Sequence, residues 1–204
     1  MRLLPSGSAG VLVEVEHLQD VLDLYAALVD EKLPGVVDLV PAASTVLVVI
    51  DPEVTSVPET ESAVRALPPG RHDRVEGELV ELPVVYDGED LAEVAALLEC
   101  DVDEVVRRHT AQAWTVAFCG FAPGFGYMTS DSWESDLPRR SSPRTKVPPG
   151  AVALAGPFCG VYPRESPGGW QLIGRTEVPV FDLSREPAAL LRPGNQVRFV
   201  VDES

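Results

Sequence analysis

Three short segments hold the residue types that could do chemistry. In Gly120-Phe-Ala-Pro-Gly-Phe-Gly-Tyr127, three glycines, a proline and three aromatics fall within eight residues. Glycine lets backbone approach a ligand closely, and aromatic rings make flat pocket walls. The same composition also suits a tight barrel corner with its rings in the core. Pro138-Arg-Arg-Ser-Ser-Pro-Arg-Thr-Lys146 carries four bases and three hydroxyls between prolines that restrict its backbone. Arginine forks there suit a carboxylate. In Tyr162-Pro-Arg-Glu-Ser-Pro-Gly-Gly-Trp-Gln-Leu-Ile-Gly-Arg-Thr176, a Pro-Gly-Gly turn leads into a strand. Trp170 and Gln171 must point to opposite faces of that strand, so one can line a pocket while the other packs.

The charge distribution makes the second segment stand out. The 204-residue chain has a net charge of −16, yet residues 137–164 hold five bases and no acid. This basic island either holds an anion or pairs with acids elsewhere on the chain. The acidity of the whole argues against nucleic acid as a partner. His109 precedes the glycine-rich segment at a helix end, where it either meets the helix carboxyl terminus as a cation or faces a site. Cys100, Cys119 and Cys159 are odd in number and widely spaced, fitting neither a disulfide framework nor a zinc site. They read as reduced thiols of a cytoplasmic protein, and no metal site is expected. No apolar run reaches the roughly 18 residues of a membrane helix, and no signal peptide is evident at Met1–Gly7.

The elements that must position these segments follow from hydrophobic period. Val11–Val15 reads as a strand, and His17–Lys32 as a helix ended by Leu33-Pro-Gly35. Val36–Val40 and Thr45–Ile50 read as strands, Val57–Leu67 as a helix stopped by Pro68-Pro-Gly70, and Glu78–Val85 as a strand. The order β-α-β-β-α-β predicts a small α+β sandwich over residues 1–82. Residues 83–204 begin with helices starting at Asp87–Asp90 and at Val102, the second capped by Asp101. Short β runs separated by Gly/Pro turns follow: Trp114–Phe118, Ala151–Leu154, Gly160–Tyr162, Trp170–Ile173, Val178–Phe181 and Gln196–Val201. They predict a β-barrel or compact sandwich.

Taken in order, Gly120-Phe-Ala-Pro-Gly-Phe125, Pro138-Arg-Arg140 with Pro143-Arg144, and Ser166-Pro-Gly-Gly-Trp-Gln171 with Ile173-Gly-Arg-Thr176 resemble the family of KipI and the 5-oxoprolinase B subunit. The family is also known as allophanate hydrolase subunit 1, or the carboxyltransferase domain of subunit 1 type. Tyr86-Asp-Gly, Asp90-Leu, His109 and Pro193-Gly194 match as well. Trp114, Ala151 and Asn195 depart from the family's usual tyrosine, serine and aspartate. The resemblance implies a small α+β N-terminal domain and a cyclophilin-like β-barrel. It implies a second cyclophilin-like subunit (the C subunit, of allophanate hydrolase subunit 2 type) and a third, the A subunit. It also implies ATP, used by the complex to open 5-oxoproline, a small cyclic amide with a carboxylate. KipI-like inhibition of a sensor histidine kinase and a urea or amide carboxyltransferase component are the alternatives. On this reading His109 relays a proton and Arg144 is catalytic, Arg140 and Arg144 hold a substrate carboxylate or phosphorylated intermediate, and Gln171 hydrogen-bonds an amide or carboxyl oxygen. Phe121, Pro123, Gly124, Phe125 and Trp170 form the substrate wall.

Overall fold

Alternation of apolar and polar residues sets the first sheet. In the computed structural model, which describes residues 1–67, 77–133 and 135–203, two units divide the chain, Met1–Val75 and Glu76–Ser204. The first begins with β1 (Arg2–Pro5), β2 (Gly10–Glu14) and α1 (Leu18–Glu31). It continues with β3 (Val36–Pro41), β4 (Thr45–Ile50) and α2 (Val57–Ala66). The strands form one antiparallel sheet in the order β1-β2-β4-β3. Every second residue of β2 and β4 turns inward: Val11 and Val13, then Val46, Val48 and Ile50, against Val21 and Leu28 of α1 and Val64 of α2. Each such side chain stabilises the fold by about 1.5–3 kcal/mol when buried.

Lys32 takes the left-handed conformation that closes α1. Glu59 reaches back to the Ser56 N–H at 2.9 Å, completing a capping box at the start of α2. β1 is an addition to the expected order; it forms a hairpin with β2 around the Ser6-Gly7-Ser8 turn. Pro68-Pro-Gly70, expected to stop α2, lies outside the described residues.

The strand expected to finish the first domain belongs to the second unit. β5 (Leu79–Val84) pairs in parallel with β13 (Gln196–Val201), from Leu79↔Gln196 to Val84↔Val201. The boundary therefore moves from residue 82 to residues 75–76. Parallel pairing of strands so far apart in sequence leaves no local signal of where a strand belongs.

After β5 come α3 (Leu91–Leu97), α4 (Val102–Thr110), β6 (Trp114–Cys119) and β7 (Gly126–Thr129). The rest are β8 (Arg144–Val147), β9 (Ala151–Ala155), β10 (Phe158–Val161), β11 (Ser166–Gly168) and β12 (Gln171–Arg175). Seven of the strands form one sheet, in the order β12-β9-β10-β7-β6-β13-β5. Its two edges meet where Val85 and Arg175 exchange N–H···O bonds of 2.9 Å. The result is a nearly closed barrel, as the cyclophilin-like expectation requires. Leu91, Val94 and Ala95 of α3 and Val105 of α4 join the barrel's main core. The expected strand at Val178–Phe181 does not form; Phe181 makes only an isolated bridge to Ala189, and Pro179 within the run offers no N–H to a ladder.

The seam where the barrel closes continues beyond Val85. Gly88 N–H reaches Ile173 O at 3.3 Å and Asp90 N–H reaches Leu172 O at 3.0 Å. A Cβ on Gly88 would collide with the Leu172 carbonyl oxygen, so only glycine lets these backbones touch.

β9 is covered on both faces. Val152 and Leu154 point into the main core, whereas Ala151, Ala153 and Ala155 belong to a second cluster with Ala122, Phe125, Tyr162, Trp170 and Leu172. Three alanines on one face leave room for large rings above them. The two-stranded ribbon β8–β11 adds Val147 to this cluster.

Candidate functional site: an aromatic cavity with one arginine

The three motif segments converge on this alanine floor. Residues 120–125 form a tight turn between β6 and β7, closed by Phe125 N–H to Ala122 O at 3.0 Å and Gly120 N–H to Phe125 O at 3.2 Å. Phe125 is buried, and its ring centroid lies 5.0 Å from Tyr127, 5.2 Å from Tyr162 and 5.4 Å from Trp170. All three contacts are edge-to-face, the geometry favoured by ring quadrupoles. Gly160 makes this possible: a Cβ there would stand 2.7 Å from the tip of the Phe125 ring.

Phe121, Phe125, Tyr127, Arg139, Tyr162, Gly168, Gly169 and Trp170 enclose a cavity of about 150 Å³. That is well below the roughly 300–1,000 Å³ of drug-sized sites, so it suits a small ligand. A larger cleft of about 330 Å³ in the first unit has mainly aliphatic walls, from Leu28, Val29, Leu33 and their neighbours. The motif residues point to the smaller one.

The polar groups of the cavity are two phenols and a guanidinium. Burial pushes the Tyr162 hydroxyl up to about 12, with Tyr127 adding to the shift and the charges of Arg139 and Arg144 opposing it. Burial also raises Tyr127, again against the Arg139 charge. Both phenols are therefore protonated donors at neutral pH. Arg139 is exposed and has no hydrogen-bond or ion-pair partner among the described residues. One cation, two O–H donors and aromatic walls suit a small ring bearing an anionic group.

Arg139 is held at the cavity by its neighbours. Pro138 O accepts from Gln171 Nε2 at 3.1 Å, and the Arg140 N–H donates to Gly169 O at 2.8 Å. The Arg140 guanidinium pairs with Asp90 Oδ1. Arg144 Nη2 donates to the same oxygen at 2.8 Å, and also to Glu89 Oε2 at 3.0 Å. Asp90 Oδ2 accepts the Leu172 N–H at 2.7 Å. Burial alone would raise the Asp90 carboxyl, but Arg144, the Leu172 N–H and Arg140 outweigh it and hold it below its usual range. Asp90 thus fastens the basic segment to the closing seam.

Comparison with known proteins gives this architecture its family. The family model of the carboxyltransferase domain, subdomains C and D, matches residues 1–191. The chain belongs to this family. Its relatives include the 5-oxoprolinase B subunit of Escherichia coli O157:H7, 38% identical, with 95% of this chain and 93% of that one covered. The 5-oxoprolinase B subunit of Bacillus subtilis strain 168 is 36% identical, with 91% and 84% covered. The crystal structure of TTHA0988 is 37% identical with a TM-score of 0.78 and matches 97% of this chain. This chain spans 40% of that protein's length.

Within this carboxyltransferase-family barrel, Phe121, Phe125 and Trp170 line the cavity. Pro123 is exposed and outside the lining, and Gly124, at φ +82°, turns the chain beside Phe181. Arg140, Arg144 and Gln171 do not line this cavity: they brace the segment through Asp90, Glu89 and Pro138 O, although Arg140 Nε, Arg144 Nη1 and Gln171 Oε1 stay buried without a hydrogen-bond partner among the described residues. The site residues not singled out beforehand are Tyr127, Arg139 and Tyr162, although all three stand in the motif segments.

His109 is the second correction. It is fully buried, with Nδ1 2.7 Å from the Tyr86 hydroxyl and Nε2 3.3 Å from Cys159 Sγ. The rings of Phe199, Trp114 and Trp133 surround it in the main core, at centroid distances of 4.5, 5.2 and 6.4 Å. It does not line the cavity, so it has no contact through which to relay a proton there. Burial pulls its pKa down to about 3. The helix carboxyl end favours the cation by at most about 2 kcal/mol, and desolvation prevails.

The unfolded chain binds a proton at His109 near pH 6.5, whereas the folded chain does so only near 3. Between these values the unfolded state holds more protons, so stability falls as pH is lowered, by up to about 1.4 kcal/mol per pH unit. His109→Gln is expected to flatten this acid slope, read from urea midpoints between pH 7 and 4. An unchanged slope contradicts the assignment.

Proposed function

We propose that the chain is the B subunit of an ATP-dependent 5-oxoprolinase-type amide hydrolase, and that its aromatic cavity receives the cyclic amide. The observation that carries this reading is that one guanidinium, Arg139, without a partner among the described residues, lines a cavity of about 150 Å³ together with protonated Tyr127 and Tyr162. The names of the two B-subunit relatives, which this chain matches over most of its length, support it. 5-Oxoproline offers a carboxylate for the guanidinium, a carbonyl for a phenol and a nearly flat ring for the walls.

The partners are a second cyclophilin-like subunit, of the C type, and a third, of the A type. ATP belongs to the complex. The cavity is too small for a nucleoside triphosphate, so we assign no ATP contact to it. The setting we propose is the cytoplasm, in keeping with the unpaired Cys100, Cys119 and Cys159. Among the described residues, no helix is long and apolar enough to cross a membrane. The family model's own name keeps a second reading in view, a carboxyltransferase component acting on urea or another amide.

Reconstitution with the partner subunits separates these readings. ATP hydrolysis that depends on 5-oxoproline, releases glutamate and vanishes when this chain is omitted is the expected result. Turnover that needs a biotinylated protein and bicarbonate supports the carboxyltransferase reading instead. Equal 5-oxoproline turnover by the partners alone contradicts the proposal.

A further inference from the structure

Phe121 sits where a glycine would be easier. Its φ is +65°, a left-handed conformation that residues with a β-carbon rarely adopt. The residue is 57% exposed, yet its ring stands at the cavity in T-shaped contact with Phe125 and Tyr162, at centroid distances of 5.4 and 6.1 Å. An exposed aromatic in a strained backbone position gains little for the fold. Strain of this kind gathers where a side chain must be aimed at a ligand. Arg139 lines the same cavity, and its neighbours Pro138 and Arg140 are pinned by Gln171 and Gly169 while its own guanidinium has no partner among the described residues. The backbone on either side of Arg139 is thus fixed, and the cation is left free.

We infer that this chain alone, before any partner or ATP is engaged, binds one flat ring carrying a single carboxylate. Arg139 is the carboxylate anchor and the Phe121 ring is the cover that the strained turn holds over the ligand. The inference rests on the cavity assigned above, but not on the ligand being 5-oxoproline. It makes the site selective twice. A neutral amide of the same ring loses the charge-assisted bond to Arg139. A bulkier acid does not fit between the Phe121 ring and the aromatic walls.

The test is calorimetric titration of the full chain, without partners or ATP, using 5-oxoproline, pyrrole-2-carboxylate and pyrrole-2-carboxamide. Both acids are expected to bind, and the carboxamide about tenfold or more weaker. Arg139→Met is expected to weaken both acids about tenfold or more while leaving the carboxamide unchanged, and Arg139→Lys to recover part of the loss. Phe121→Gly is expected to weaken binding about fivefold, the size of a lost ring contact, without lowering the melting temperature, because glycine relieves the left-handed strain. Pyrrole-2-carboxylate binding through Arg139 with no binding of 5-oxoproline would leave the inference standing and remove the substrate reading. No binding of either acid by the isolated chain, or equal binding by Arg139→Met, overturns the inference.

Discussion

Asp90→Ala is expected to destabilise the second unit by about 3–5 kcal/mol, the loss seen when one partner of a buried ion pair is removed. The Asp90 side chain is 3% exposed and that of Arg144 only 14%, so the change leaves a largely buried guanidinium with only the exposed Glu89 carboxylate opposite it. It also frees the Leu172 N–H, which donates to Asp90 Oδ2 at 2.7 Å. The loss is a large share of the roughly 5–15 kcal/mol that keeps a domain folded. Asp90→Asn is expected to lose most of the same energy while keeping the shape. Trp114, Trp133 and Trp170 all lie in the second unit, so tryptophan fluorescence in urea reports its unfolding alone. The pH dependence follows from the lowered Asp90 carboxyl. Its contribution is complete above the unfolded value near 4 and disappears as pH falls through the lower folded value. A midpoint unchanged in Asp90→Ala would mean that the clamp holds nothing.

The helices were the most legible part of the fold. Leu18 to Val29 carries apolar residues at helical spacing ahead of the Leu33-Pro-Gly35 stop, and α1 forms there. Asp101 caps α4 through the Glu104 N–H at 2.8 Å, as its type and position predict. The strands of the barrel were legible as runs but not as partners. β5 alternates correctly, with Val80, Leu82 and Val84 inward, yet nothing in residues 79–84 says that they pair with residues 196–201. β1, β7, β8 and β11 are three or four residues long. Runs that short carry too little periodicity to separate a strand from a loop.

At the site, the segments were legible and the roles within them were not. Trp170, the residue before β12, lies at the cavity, and Gln171, the first of β12, turns its amide toward Pro138 O. The basic island combines both of its sequence readings, since Arg140, Arg144 and Lys146 pair with acids, whereas Arg139 and Arg164 have no ion pair among the described residues. Which arginine of the Pro138–Lys146 segment is left at the cavity depends on Asp90, 50 residues before Arg140 and 54 before Arg144 in the chain. That meeting exists only once the residues after β5 have closed the barrel against β12. His109 illustrates the same limit. A histidine at a helix end can be a cation or a buried base, and the packing of Trp114 and Phe199 decides.

Arg139→Met is expected to have the largest effect on activity for the least effect on folding. Arg139 is exposed and unpartnered among the described residues, so its loss leaves stability within about 0.5 kcal/mol. A lost charge-assisted bond to a substrate carboxylate corresponds to about ten- to hundredfold in affinity. Because this anchor holds ground state and transition state alike, the loss falls on KM more than on kcat. The deciding measurement is kcat/KM for 5-oxoproline in the reconstituted complex, with Arg139→Met in place of the native chain. A fall of about ten- to hundredfold, carried mainly by KM, is the result predicted here. A kcat/KM equal to that of the native complex would contradict the assignment of this cavity as the substrate site.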